Sequence, residues 1–211
     1  MKIGVLGTGM VGQTIGSKVV SLGHEVKMGA RDAKNEKAAA WATANKASHG
    51  TFADAAAFAE IVFVCTNGMG TLPALRSAGN LAGKILIDLS NPLDFSKGMP
   101  PTLFAGNGDS LGEQVQREFP DAKVVKTLNT INCSVMVDAG RVGGGDHTVF
   151  MSGNDAGAKS QVADLLRGLG WSDILDLGDL STARGPEMYM ALWLRLWGAT
   201  RTPNVNIKVQ R

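Results

Sequence analysis

Cysteine is scarce: Cys65 and Cys133 are the only two in 211 residues. They are too far apart for a CxxC motif or a disulfide framework, which points to a reducing compartment. The three histidines (His24, His49, His147) are scattered and none pairs with a cysteine, so no metal-ligand spacing is present. Aromatics reach only 6%, the formal net charge is +2, and there is no basic run; nothing resembles a nucleic-acid footprint. A G-x-S-x-G nucleophile motif is absent. The apolar stretch Met188 to Gly198 contains Arg195 and is much too short to span a bilayer. The opening apolar run is interrupted by glycines and is not read as a signal peptide. The expectation is a soluble, cytoplasmic globular chain, 44% hydrophobic and 19% charged, with a substantial core.

Glycine, by contrast, is plentiful at 27 residues, and its first cluster is placed informatively. The strand-like Lys2 to Leu6 runs into Gly7-Thr8-Gly9-Met10-Val11-Gly12 and then a helical stretch, the context that gives G-x-G-x-x-G its meaning. Gly7 would make the tight turn, Gly9 would let a pyrophosphate approach the backbone, and Gly12 would allow close helix–strand packing. The following helix start offers unpaired N–H groups to phosphate. A second strand, His24 to Met28, ends in Gly29-Ala30-Arg31-Asp32. An acidic residue at that point accepts from the ribose of NAD, whereas an arginine pairs with the 2′-phosphate of NADP. Arg31, with Lys34 and Lys37 close by, favours NADP. Asp32 remains either a displaced ribose acceptor or a helix N-cap.

Apolar runs alternate strand with helix, the pattern of a Rossmann-type, doubly wound, mostly parallel α/β sheet. The spacing predicts a helix from about Ala33 to Ala47 and a short strand Gly50 to Phe52. A brief helix capped by Asp54 follows, then strands Ile61 to Cys65, Lys84 to Asp88 and Lys123 to Leu128. Ser110 with Glu113 resembles a capping box, and Asn132 is placed as a further cap. Composition shifts at Gly140 to Asp146. The expected division is a nucleotide domain over 1–139 and a small C-terminal α/β cap over 140–211 for substrate and dimer contacts. The cap should hold strands at His147 to Met151 and Ile174 to Leu177, and helices near Asp155 to Leu169 and Ser181 to Ala199.

Ligands of such sheets sit beyond the carboxyl ends of the strands. Three polar tips should meet there: Thr66-Asn67-Gly68-Met69, Ser90-Asn91-Pro92-Leu93 and Asn129-Thr130-Ile131-Asn132. Each is also explained by the turn preference of Asn, Gly and Pro. No acid/base pair announces itself; Glu187 would either pair with a nearby arginine or approach substrate. Carbonyl reduction needs a proton donor at the oxygen. Hydride exchange between a nicotinamide and another organic carrier needs alignment and exclusion of water instead, and fits these loops better.

The glycine loop, Gly23-His24-Glu25-Val26 leading to Gly29-Ala30-Arg31, and Val124-Val125-Lys126-Thr127-Leu128-Asn129-Thr130 resemble the NADPH-dependent coenzyme F420 reductases. A more distant resemblance is to the oxidoreductase domain of the STEAP metalloreductases. The resemblance implies a Rossmann domain with a small cap, a homodimer, and direct hydride transfer between NADP(H) and a deazaflavin. It also implies that Thr8, Met10, Val11, Ala30, Arg31 and Lys34 or Lys37 hold NADP, and that Asn67 to Met69 border the nicotinamide. Archaeal members carry a hydroxyl residue where this chain has Ala30. Their loop after strand five is apolar, against Ser90-Asn91-Pro92-Leu93-Asp94 here.

The C-terminal helix is apolar around much of its circumference, which suits burial between domain and partner chain or within one subunit. Asn204 to Val209 alternates like a strand. The expected activity is hydride transfer between NADPH and a planar acceptor such as coenzyme F420 or a flavin. The alternative is a non-catalytic NADPH-binding sensor. Neither nucleic acid nor membrane is an expected partner.

Overall fold

A computed structural model describes residues Met1–Arg211. The strands are β1 (Lys2–Leu6), β2 (Glu25–Ala30), β3 (Ser48–Thr51), β4 (Ile61–Val64), β5 (Ile85–Asp88), β6 (Leu93–Asp94), β7 (Thr102–Leu103), β8 (Lys123–Thr127), β9 (Thr148–Gly153) and β10 (Asp173–Asp176). The α-helices are α1 (Met10–Ser21), α2 (Glu36–Asn45), α3 (Phe52–Phe58), α4 (Gly68–Ala78), α5 (Leu111–Glu118), α6 (Cys133–Met136), α7 (Ala156–Gly168) and α8 (Arg184–Thr200). Eight strands form one sheet in the order β10-β9-β8-β5-β4-β1-β2-β3, while β6 and β7 make a separate antiparallel ribbon.

All ladders of the large sheet are parallel except β8–β9, where the chain reverses. Residues beyond 140 therefore extend the same sheet through β9 and β10. The central strands are apolar throughout because helices cover both faces. Ile61 and Phe63 join Ile3, Val5, Ile85, Ile87 and Val125 in one core, while Val62 and Val64 join Leu6, Leu86 and Val124 in the other. This two-residue alternation places Asp88 and Lys126 on the second face, toward α3, α4 and α5.

Several boundaries differ from expectation for identifiable reasons. Helix α2 starts at Glu36 rather than near Ala33, because Asn35 is the cap and accepts from Ala38 N. Asp32 instead accepts from Lys34 N at 2.8 Å. Thr51, not Asp54, caps α3, with Asp54 as the reciprocal member of the capping box. Ser110 caps α5 as expected, but the Glu113 carboxylate faces the Ser110 hydroxyl and Arg184. Asn132 caps α6. Residues 204–209 form no strand: Thr148 N donates to Ile207 O, and the Asn206 side chain takes the neighbouring carbonyl of Thr148. No helix is long and apolar enough to cross a membrane.

Candidate functional site

The carboxyl ends of β1, β2 and β4 open onto a cleft of about 550 Å³. Its floor is the β1–α1 turn. Gly7 has φ +125°, and a Cβ there would lie 2.7 Å from the Cys65 carbonyl oxygen, so only glycine fits. At Gly12 a Cβ would overlap the Gly7 carbonyl oxygen, whereas at Gly9 it would meet nothing within 4 Å. Gly9 caps α1 without a side-chain acceptor, and the first turn holds no acidic residue. The first-turn N–H groups and the positive helix end are thus left for an anion, with open space in front of them. These features fit a dinucleotide pyrophosphate. Gln13 Nε2 donates to Thr8 O at 2.9 Å and steadies the turn.

Arg31 stands at the rim beyond β2, exposed, and makes no ion pair with any carboxylate. Asp32 beside it already accepts from Lys34 N. The wall opposite comes from β4 and α4: Thr66, Asn67, Gly70, Pro73, Ala74 and Ser77, while Asn35, just after β2, and Phe52, just after β3, line the side of Arg31. Asn67 caps α4 by accepting from Gly70 N at 2.7 Å, and Thr66 and Thr71 share a hydroxyl contact of 3.0 Å. Burial pushes the Cys65 thiol well above its ordinary value, and Asp88 adds to the shift, so the group stays protonated rather than nucleophilic.

Of the expected residues, Gly7, Thr8, Gly9, Ala30, Arg31, Thr66 and Asn67 line this cleft. Gly12 packs beneath the turn. Met10, 73% exposed, and Val11 lie on the first turn of α1. Lys34 is exposed near Arg31, while Lys37 faces a separate groove between α1 and α2 with Gln13, Ser17 and Trp41. Gly68 and Met69 begin α4, with Met69 67% exposed. Asn91 and Asn129 sit further along, past β5 and β8, where they exchange two hydrogen bonds: Asn91 Nδ2 to Asn129 O at 2.7 Å and Asn129 Nδ2 to Asn91 Oδ1 at 2.9 Å. A Cβ on Gly68 would overlap Asn91 O, so the β4 and β5 tips touch.

Sequence reasoning missed Asn35, Phe52, Cys65, Gly70, Pro73, Ala74 and Ser77 as cleft residues. Their only signal was proximity to strand ends. Glu187 contacts no arginine; it is buried and pairs with Lys126 at 2.7 Å. His147 is buried away from the cleft, between Ala139 O and Asn206.

Comparisons with known proteins agree with this geometry. The family model described as NADP oxidoreductase, coenzyme F420-dependent matches residues 2–92, from β1 to the tip of β5. A crystal structure from Arthrobacter sp. FB24, described as a "putative f420 dependent nadp-reductase", is 57% identical, with a TM-score of 0.97 and full coverage of both chains. The F420-dependent NADP reductase of Methanothermobacter marburgensis is 28% identical over 99% of this chain and 98% of its own length. Metalloreductase STEAP3 of Rattus norvegicus is 29% identical over 97% of this chain, which spans only 38% of that protein. The chain belongs to the coenzyme F420-dependent NADP oxidoreductase family.

Proposed function

We propose that this protein passes hydride between NADPH and a planar deazaflavin or flavin acceptor. The observation that carries the NADP end is Arg31, an unpaired guanidinium at the rim of a cleft whose floor is a glycine turn. In this reading the backbone of Gly7 to Gly12, with Thr8, Met10 and Val11 on the turn, holds the pyrophosphate. Arg31 takes the 2′-phosphate as a planar fork, with Lys34 adding charge and Ala30 bordering it. Phe52, Pro73 and Ala74 give the adenine an apolar wall. Thr66 to Met69, Asn91 and Asn129 border the nicotinamide.

When bound, the nicotinamide supplies the hydride; the chain aligns it and limits water. The β4, β5 and β8 tips present amides, hydroxyls and main-chain groups, and the one carboxylate at these strand ends, Asp88, is buried and paired with Lys126. That suits an acceptor taking hydride at a ring carbon and its proton from solvent. The deazaflavin is favoured over other acceptors by likeness to the Methanothermobacter reductase. Two free cysteines accord with a cytoplasmic setting. A homodimer is supported by α8, whose Met188 and Leu192, one turn apart, stay 40% and 54% exposed while Glu187, Met190 and Trp193 pack inward.

The test is absorbance with NADPH and oxidised F420 together. Stoichiometric bleaching of the deazaflavin with loss of NADPH supports the reading. Tight NADPH binding without turnover of F420, flavins or quinones would refute it in favour of a sensor.

A further inference from the structure

Lys126, Asp88 and Glu187 form an ion cluster with no solvent exposure at any of the three side chains. Lys126 and Asp88 are register partners across the β5–β8 ladder, and Glu187 arrives from the first turn of α8. The ammonium donates to Asp88 Oδ2 at 2.9 Å, to Glu187 Oε1 at 2.7 Å and to the main-chain oxygen of Ser90 at 2.6 Å. Its three protons are then fully used. The carboxylates are satisfied too. Asp88 Oδ1 accepts from Ser90 N and Oγ, and Glu187 accepts from Leu111 N and Gly112 N at the start of α5. Burial works against the charge on Lys126, but Asp88 and Glu187 outweigh it and hold the lysine above its ordinary value.

Stability alone is a weak reason for such a cluster, since apolar residues of similar volume commonly serve as well. Its placement gives a stronger one. Two of its members grip Ser90, and the next residue is Asn91, which interlocks with Asn129 and presses its carbonyl on Gly68. The β4, β5 and β8 tips are thus tied to one buried ammonium group, which α8 holds from behind.

We propose that Lys126 is a positioning residue that sets the nicotinamide end of the cleft, coupling it to α8 through Glu187; the inference rests on the NADP reading above. The adenosine end, built on β1, β2, α3 and the Pro73–Ala74 turn of α4, makes no contact with the cluster itself.

The purified full-length chain would be titrated with NADPH and with 2′,5′-ADP, which keeps the adenosine and 2′-phosphate but lacks nicotinamide. The variants are Lys126→Met and the double variant Lys126→Met/Glu187→Gln. The double variant keeps the cluster at one net negative charge (+1 − 2 before, 0 − 1 after) and carries the test where the single variant does not fold. NADPH affinity should fall about tenfold, the equivalent of one positioned hydrogen bond, with 2′,5′-ADP affinity unchanged. Equal weakening of both probes, or wild-type NADPH affinity, would overturn the proposal. A wild-type chain that binds neither probe would instead remove the NADP reading and this proposal with it.

Discussion

Replacing Gly9 with alanine should leave the fold intact and cripple cofactor binding. Gly9 has φ −77° and ψ −178°, extended backbone open to any residue, and the new methyl would meet no atom within 4 Å. Restricting the unfolded chain stabilises by about 0.4–1 kcal/mol, and alanine is a poorer N-cap than glycine by a similar amount. The two effects nearly cancel, so Tm should stay within about 2–4 °C of wild type. The methyl would instead stand in the space through which a pyrophosphate reaches the α1 N–H groups. Losing one charge-assisted hydrogen bond there costs about 1.5–3 kcal/mol, or roughly ten- to a hundredfold in affinity. Thermal unfolding and NADPH fluorescence titration of one preparation read both quantities. Wild-type NADPH affinity would refute the placement of the pyrophosphate. A Tm loss like that expected of Gly12→Ala, whose methyl overlaps Gly7, would show that Gly9 serves packing instead.

Three other perturbations separate cofactor recognition from stability. Arg31→Ala should weaken NADPH by about tenfold or more, the loss of a partly screened charge-assisted contact, and leave NADH unchanged; equal weakening of both in a titration would exclude the 2′-phosphate role. Gly16→Ala places a methyl 2.6 Å from Trp41 Cζ2, in a ring fixed by its Nε1 bond to Ser17. Overpacking of this kind costs about 1–3 kcal/mol, so calorimetry should show a lower Tm, and an unchanged Tm would mean that α1 and α2 separate freely. The Asp173 carboxyl is held at about 2, below the ordinary 3.8, by the Thr148 hydroxyl and then by Lys208 and Arg211, against opposing burial. A depressed folded value gives stability that is complete above about pH 4 and lost as pH falls through about 2. Asp173→Asn should therefore flatten that part of the acid-unfolding curve followed by tryptophan fluorescence, and an unaltered curve would contradict the assignment.

The succession of strands along the chain and the cofactor turn were legible because their signals are local. Gly7, Gly9 and Gly12 each answer a different steric demand, and the unbroken apolar runs of β4 and β5 mark strands covered on both faces. The start of α2 was placed too early because Asp32 and Asn35 are both good caps, and only the fold shows Asp32 turned onto Lys34 N. The adenosine-side wall was hidden because Phe52, Pro73 and Ala74 look like ordinary helix residues until α3 and α4 converge on the cleft. Residues 204–209 alternate like a strand, yet Asn206 spends its side chain on His147 and Thr148 O, so regular pairing stops. The ion cluster did leave a trace. Lys126 inside Val124-Val125-Lys126-Thr127, and Asp88 closing an apolar strand, are charges in positions where burial demands partners. Which partners, and the role of Glu187 from about 60 residues further on, required the packing of α8 on α5.

The most direct test of the central claim follows a label. NADPH deuterated at both hydrogens of the nicotinamide C4 would be mixed with oxidised F420 and the protein in ordinary water, and the reduced deazaflavin analysed by mass spectrometry. Direct hydride transfer within one cleft predicts one deuterium on the deazaflavin ring carbon. Solvent hydrogen at that position, or no reduction of F420 by a chain that binds NADPH, would contradict it.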